Sequence, residues 1–180
     1  MLTLYHAGKQ EIPRPDVHFG RKNADFGQGF YLTPDREFAC RWAGEGAVLN
    51  EYELDETSLL IHTFQRNEAW FDYIFNNRRA RDGLGADVVA GPVANDTIYD
   101  TFGILTSGFL SREEALRLLL IGPEYRQVAL KTERAAERLK WVSARRMTRA
   151  EYERYHELLA EENRAYQALL AAKMWSMAEG

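Results

Sequence analysis

The chain has 180 residues, 46% hydrophobic and 28% charged, with a net charge of −4. That suits one domain with an appendage, burying roughly 70% of its unfolded surface, and it excludes whole-chain disorder and a non-specific nucleic-acid coat. A single cysteine, Cys40, excludes an internal disulfide and a cysteine zinc cluster; there is no run of about 18 apolar residues and no leader-like start, so a cytoplasmic protein is expected.

Short strands and helices alternate irregularly, which predicts an α+β fold. Residues 2–5 read as a strand ending at His6. Residues 7–27 read as a loop punctuated by Gly8, Pro13, Pro15, Gly20 and Gly27, a length that is often functional. Residues 30–32 form a short aromatic strand. A helix follows, with Thr33 as N-cap, Pro34 as first residue and Asp35 in the first turn. Phe38, Ala39, Trp42 and Ala43 form its buried face, and Gly44 ends it.

Alternation of Val48, Asn50, Tyr52 and Leu54 with Leu49, Glu51, Glu53 and Asp55 predicts a strand, and residues 59–64 another. Residues 67–79 read as a helix with Trp70, Phe71, Ile74 and Phe75 inward. A buried strand over 86–90 is expected to stop at Gly91-Pro92, and residues 97–110 carry no clear pattern. Ser111 with Glu114 makes a capping box for a helix ended by Gly122-Pro123. Residues 125–131 read as a strand with polar residues on both faces, hence at a groove or an edge. A short helix over 132–139 and a strand over 141–147 complete a domain spanning 1–147. Thr148 with Glu151 is a second capping box, and residues 148–180 form a C-terminal helical extension. At about 1.5 Å per residue that helix approaches ~45 Å, so it either packs along its own domain or extends to a second subunit or another protein.

The chemistry concentrates in the glycine-rich stretch from Gly20 to Thr33. Its glycines allow close backbone approach, Arg21 and Lys22 offer cations for phosphate, and Tyr31 offers a flat face to a ring. The stretch lacks the Gly-Lys-Ser/Thr ending of a Walker loop. The four histidines lack metal-ligand spacing, so no metal site is expected. Cys40 lies in an apolar run and reads as core. Residues 131–149 carry seven cations against Glu133 and Glu137, either a solvated surface or a face for a phosphate-rich target.

Three motifs carry a resemblance. They are Leu4-Tyr5-His6-Ala7-Gly8, then Gly20-Arg21 leading into Asp25-Phe26-Gly27-Gln28-Gly29-Phe30-Tyr31-Leu32-Thr33, and then Gly91-Pro92-Val93-Ala94-Asn95-Asp96, with Gln127 late in the chain. Over residues 2–145 the sequence resembles an uncharacterised bacterial domain family placed with the ADP-ribosyltransferase-like proteins, several of them linked to toxin–antitoxin loci. The resemblance implies two small packed sheets gripping NAD as cosubstrate in the cleft between them.

By this resemblance His6 holds the nicotinamide-side ribose, Tyr31 stacks on nicotinamide, and Gln127 takes the place of the usual glutamate. Ala7 and Gly8 would offer backbone to the carboxamide, Ala7 standing where a glycine is more common. Arg21 would meet the pyrophosphate, and Asp25, Gly27, Gly29 and Phe30 complete the NAD-binding set. A glutamine accepts from a ribose hydroxyl but brings no negative charge, unless Glu124, three residues earlier, reaches in. The expected activity is NAD-dependent ADP-ribosyl transfer by a toxin of toxin–antitoxin type. Its partners would be a macromolecular acceptor, an antitoxin protein and a second copy through the last helix. The alternatives are a non-catalytic NAD- or ADP-ribose-binding module and an interaction protein.

Overall fold

The computed structural model describes residues 1–77, 83–94 and 111–178. The fold is α+β, with two small sheets and a long C-terminal helix. Sheet 1 is antiparallel, in the order β1 (Leu2–Gly8), β3 (Val48–Leu54), β7 (Leu139–Arg146). Sheet 2 has the order β2 (Phe30–Leu32), β6 (Arg126–Leu130), β5 (Val88–Pro92), β4 (Ile61–Thr63), antiparallel except for the β4–β5 pair. The helices are α1 (Arg36–Arg41), α2 (Glu68–Asn77), α3 (Arg112–Leu119), α4 (Glu133–Glu137) and α5 (Arg149–Ala178).

The two-residue period of each strand assigns its faces. Leu4, Tyr52 and Leu54 of sheet 1 meet Phe30, Leu32, Val88, Val128 and Leu130 of sheet 2 in one buried cluster. The far face of sheet 2 packs Val89 and Ala129 against Trp70, Phe71 and Ile74 of α2 and against Phe26. The far face of sheet 1 packs Leu49 against Ala39 and Cys40 of α1, Met147, and Tyr155 of α5. Four layers result, and each fully buried Leu or Phe contributes about 1.5–3 kcal/mol. The sheets are stitched beside the cleft by one isolated backbone pair, Tyr5 N–H to Thr33 C=O at 2.8 Å and Thr33 N–H to Tyr5 C=O at 2.9 Å.

Several expectations are corrected. Asp35, not Thr33, caps α1: its carboxylate accepts from Phe38 N–H at 3.0 Å. The Thr33 hydroxyl accepts from Asp35 N–H at 3.1 Å and donates to Arg126 C=O at 2.8 Å, tying the turn before the helix to sheet 2. The helix ends at Trp42 rather than Gly44, and Trp42 is 48% exposed rather than buried. Strand β5 spans Val88–Pro92 rather than 86–90, so it takes in Gly91-Pro92 before it ends. Val93 N–H bonds Tyr125 C=O at 2.8 Å, so in the alternating antiparallel ladder Pro92 falls where no N–H is needed toward β6. Strand β6 is interior to its sheet, so of the two readings of its polar faces the edge falls and the groove stands, with Gln127 lining a cavity. His6 lies within β1, which runs on to Gly8. Strand β7 begins at Leu139, and α4 ends at Glu137. Residues 78–79 of the expected second helix, Asn95, Asp96 and the unassigned stretch 97–110 lie outside the described residues.

Helix α5 packs along its own domain as far as Tyr166, which is buried against Gly122. Farther on, Leu169 and Trp175 are exposed. Near its middle, Glu162 accepts from Arg41 of α1 at 2.6 Å and from the Tyr125 hydroxyl, while Arg41 also donates to Tyr125 at 2.7 Å. The basic stretch serves the fold. Arg134, Arg138, Lys140, Arg145 and Arg149 pair with Asp87, Asp55, Glu53, Glu151 and Glu153, and Lys131 and Arg146 donate to the carbonyls of Phe26 and Gly46. All seven cations thus have internal partners, which weighs against a phosphate-binding face there.

Candidate functional site

Residues of both sheets line a cavity of about 720 Å³. Its walls come from the end of β1, the loop over residues 9–29, β2, α1, the residues after β5, and β6. The long loop is held by polar groups that the strands bury. The fully buried Asn50 accepts from Ile12 N–H at 2.9 Å and donates to Gln10 C=O at 3.0 Å, and the Tyr52 hydroxyl donates to Ile12 C=O at 2.8 Å. Burial pushes the Tyr52 phenol far above the usual tyrosine range, so it stays protonated and able to donate. At the far end of the loop a Cβ on Gly29 would sit 2.6 Å from Leu130 C=O, so β6 leaves room only for glycine.

Three side chains from distant stretches line this one cavity: His6, Tyr31 and Gln127. The His6 Nδ1–H donates to Tyr31 C=O at 2.8 Å, since a carbonyl can only accept. Burial lowers the His6 pKa, and the bond to Tyr31 opposes this only partly. The ring is therefore neutral at pH 7, and Nε2 is left as an acceptor. The same ring lies 4.7 Å from that of Phe30.

The Tyr31 hydroxyl donates to Gly27 C=O at 2.7 Å and accepts from Phe26 N–H at 2.9 Å. It locks the turn in which Gly27 has φ = 74°, a left-handed conformation that favours glycine. Tyr31 and Gln127 share a face of sheet 2, because Tyr31 registers with Ala129. The Gln127 amide nitrogen donates to Asp25 Oδ2 at 3.1 Å and to Pro92 C=O at 3.4 Å.

Of the NAD-binding set, Gly8, Arg21, Asp25, Gly29 and Phe30 line the cavity. Ala7 lines a smaller adjoining pocket of about 150 Å³ that shares His6, Tyr31 and Gln127. Gly27 lies behind the wall and acts through its turn. Arg21 has no ion-pair partner among the described residues. Glu124 does not line the cavity; it pairs with Arg126 at 3.6 Å.

Sequence reasoning missed Phe38 and Trp42, whose aromatic spacing on a short helix reads as core. Both line the cavity, and Phe38 stacks on Tyr125 at 4.4 Å. It also missed Asn50, although an amide at an inward strand position was a visible signal. Chemically, the cavity offers aromatic walls, acceptors at His6 Nε2 and Gln127 Oε1, and a cation at Arg21. Its volume is within the about 300–1,000 Å³ of small-molecule sites. No group of three or more metal-ligating side chains occurs among the described residues, and none of their helices is long and apolar enough to cross a membrane.

The fold and the cavity define a two-sheet α+β domain with a small-molecule-sized cavity lined from both sheets. The chain belongs to the family described as "Protein of unknown function (DUF3990)", which matches residues 2–141. No curated protein and no solved structure matches it. Helix α5 lies beyond the matched residues.

Proposed function

We propose that the chain is an NAD-dependent ADP-ribosyltransferase with the ADP-ribosyltransferase fold, a toxin of toxin–antitoxin type that modifies a protein or nucleic acid. The convergence of His6, Tyr31 and Gln127 on one cavity carries this reading. The Tyr31 ring offers the face on which nicotinamide stacks. His6 Nε2 accepts from the hydroxyl of the adjoining ribose, and Arg21 faces the pyrophosphate. Gln127 Oε1 accepts from the ribose 2′-hydroxyl. The glycosidic bond then breaks toward nicotinamide, and an acceptor takes the anomeric carbon.

The test is incubation of the full chain with labelled NAD and bacterial lysate, read by gel and mass spectrometry, with calorimetry for NAD binding. The wild type should bind NAD and transfer label, and His6→Ala and Tyr31→Ala should abolish transfer. A folded wild type that neither binds NAD nor labels any component refutes the proposal. An amide at position 127 favours a second reading, a module that binds NAD or ADP-ribose without turnover. NAD binding with no cleavage selects it.

A further inference from the structure

The polar wall of the cavity contains a carboxylate that the three-residue description leaves out. Asp25 Oδ2 accepts from Gln127 Nε2 at 3.1 Å and from Ala94 N–H at 3.1 Å. The Asp25 main-chain carbonyl accepts from Asn77 Nδ2 at 3.2 Å. The residue is thus held from β6, from the segment after β5 and from the end of α2, and it faces the same cavity as His6 and Tyr31.

The two ends of a glutamine amide have nearly the same shape, and only their partners distinguish them. An ionised carboxylate accepts and never donates, so Asp25 admits only the nitrogen end. Gln127 Oε1 is then the end presented to a ligand, and among the described residues it accepts no hydrogen bond. The charge absent from position 127 stands one hydrogen bond away.

We infer that Asp25 and Gln127 together do the work of a single glutamate in NAD cleavage. Gln127 accepts from the ribose 2′-hydroxyl, and Asp25 fixes the direction of its amide and supplies the negative charge facing the ribosyl cation. This rests on the ADP-ribosyl-transfer reading. In the step concerned, the bond from ribose C1′ to the nicotinamide nitrogen breaks. Both electrons stay on that nitrogen, which loses its pyridinium charge. Positive charge passes to C1′ and the ring oxygen. A lone pair of the acceptor (water in the assay) forms the new bond to C1′, and its proton leaves to solvent. Asp25 is a positioning residue that acts through Gln127 and through its field.

The experiment measures NAD hydrolysis by the full chain, with nicotinamide quantified by chromatography and NAD affinity by calorimetry. Asp25→Asn keeps the shape and one acceptor oxygen, so kcat should fall by on the order of 10²–10³, the loss typical of one preorganised electrostatic group, with KM little changed. Gln127→Glu sets two carboxylates at hydrogen-bond distance, one of which must keep a proton, and should be slower than wild type. The double variant Asp25→Asn/Gln127→Glu exchanges carboxylate and amide across the same bond, and its kcat should return toward wild type.

An Asp25→Asn chain with wild-type kcat overturns the inference. So does a loss that the double variant fails to rescue, since a purely structural role predicts that result. Should Asp25→Asn alone fail to fold, the double variant decides by its kcat. A wild type that binds NAD without cleaving it overturns this inference and leaves the binding half of the proposed function standing. A wild type that does not bind NAD removes both.

Discussion

Replacing Tyr31 by Phe separates the two tasks of that side chain. The ring keeps its place beside Phe26 and in the cavity wall. The hydroxyl is lost, and with it the bonds to Phe26 N–H at 2.9 Å and Gly27 C=O at 2.7 Å. Each is worth about 0.5–1.5 kcal/mol net, and an orphaned buried donor costs about 1–3 kcal/mol. Phe26 is fully buried, so water does not replace the partner of its N–H. The destabilisation should be about 2 kcal/mol. For a chain of this length that lowers Tm by about 4–8 °C at roughly 2–4 °C per kcal/mol. Urea denaturation followed by tryptophan fluorescence should show a lower midpoint at unchanged m-value. NAD affinity should fall far less than in Tyr31→Ala, which loses the ring. A Tyr31→Phe chain as stable as wild type would show that the hydroxyl does not hold the turn.

The lowered pKa of His6 fixes a pH dependence. The unfolded chain, with the ordinary value of 6.5, takes its proton first, so folding stability falls as pH drops through 6.5 toward the folded value. The same protonation removes the acceptor at Nε2. NAD affinity by calorimetry should therefore be flat on the alkaline side of 6.5 and decline only below it, and a decline centred above 6.5 contradicts the assignment. Gly29→Ala drives a Cβ to 2.6 Å from Leu130 C=O, where two backbones have no slack. It should destabilise the fold by about 1–3 kcal/mol, seen in thermal melts, and an unchanged Tm refutes the tight approach.

What the sequence made legible was local. The alternation of β3, the capping boxes of Ser111 and Thr148, and the inward face of α2 each follow from one stretch of chain. The glycine-aromatic motif pointed to the cavity because backbone closeness requires glycine whatever the surroundings. Failures came where two candidates competed or a distant element decided. Thr33 and Asp35 are both good caps, and only the folded chain divides the work: Asp35 accepts from Phe38 N–H, while Thr33 accepts from Asp35 N–H and donates to the carbonyl of Arg126, 93 residues away. Pro92 reads as a breaker until its register with β6 is known. Phe38 is buried as read, but Trp42 is exposed, because helix periodicity marks an apolar face without saying whether protein or a cleft lies against it. The bond from Asp25 to Gln127 spans 102 residues, and no local pattern announces it.

The paired main-chain bonds between Tyr5 and Thr33 sit next in sequence to His6 and one residue beyond Leu32 in the strand that carries Tyr31. The aperture of the slot is thus set by peptide groups, which every sequence possesses, and not by the side chains that line it. Lining positions such as Phe38 and Trp42 are free to change what the slot recognises while its width stays constant. Changes to the chain path at this stitch decide whether there is a slot at all.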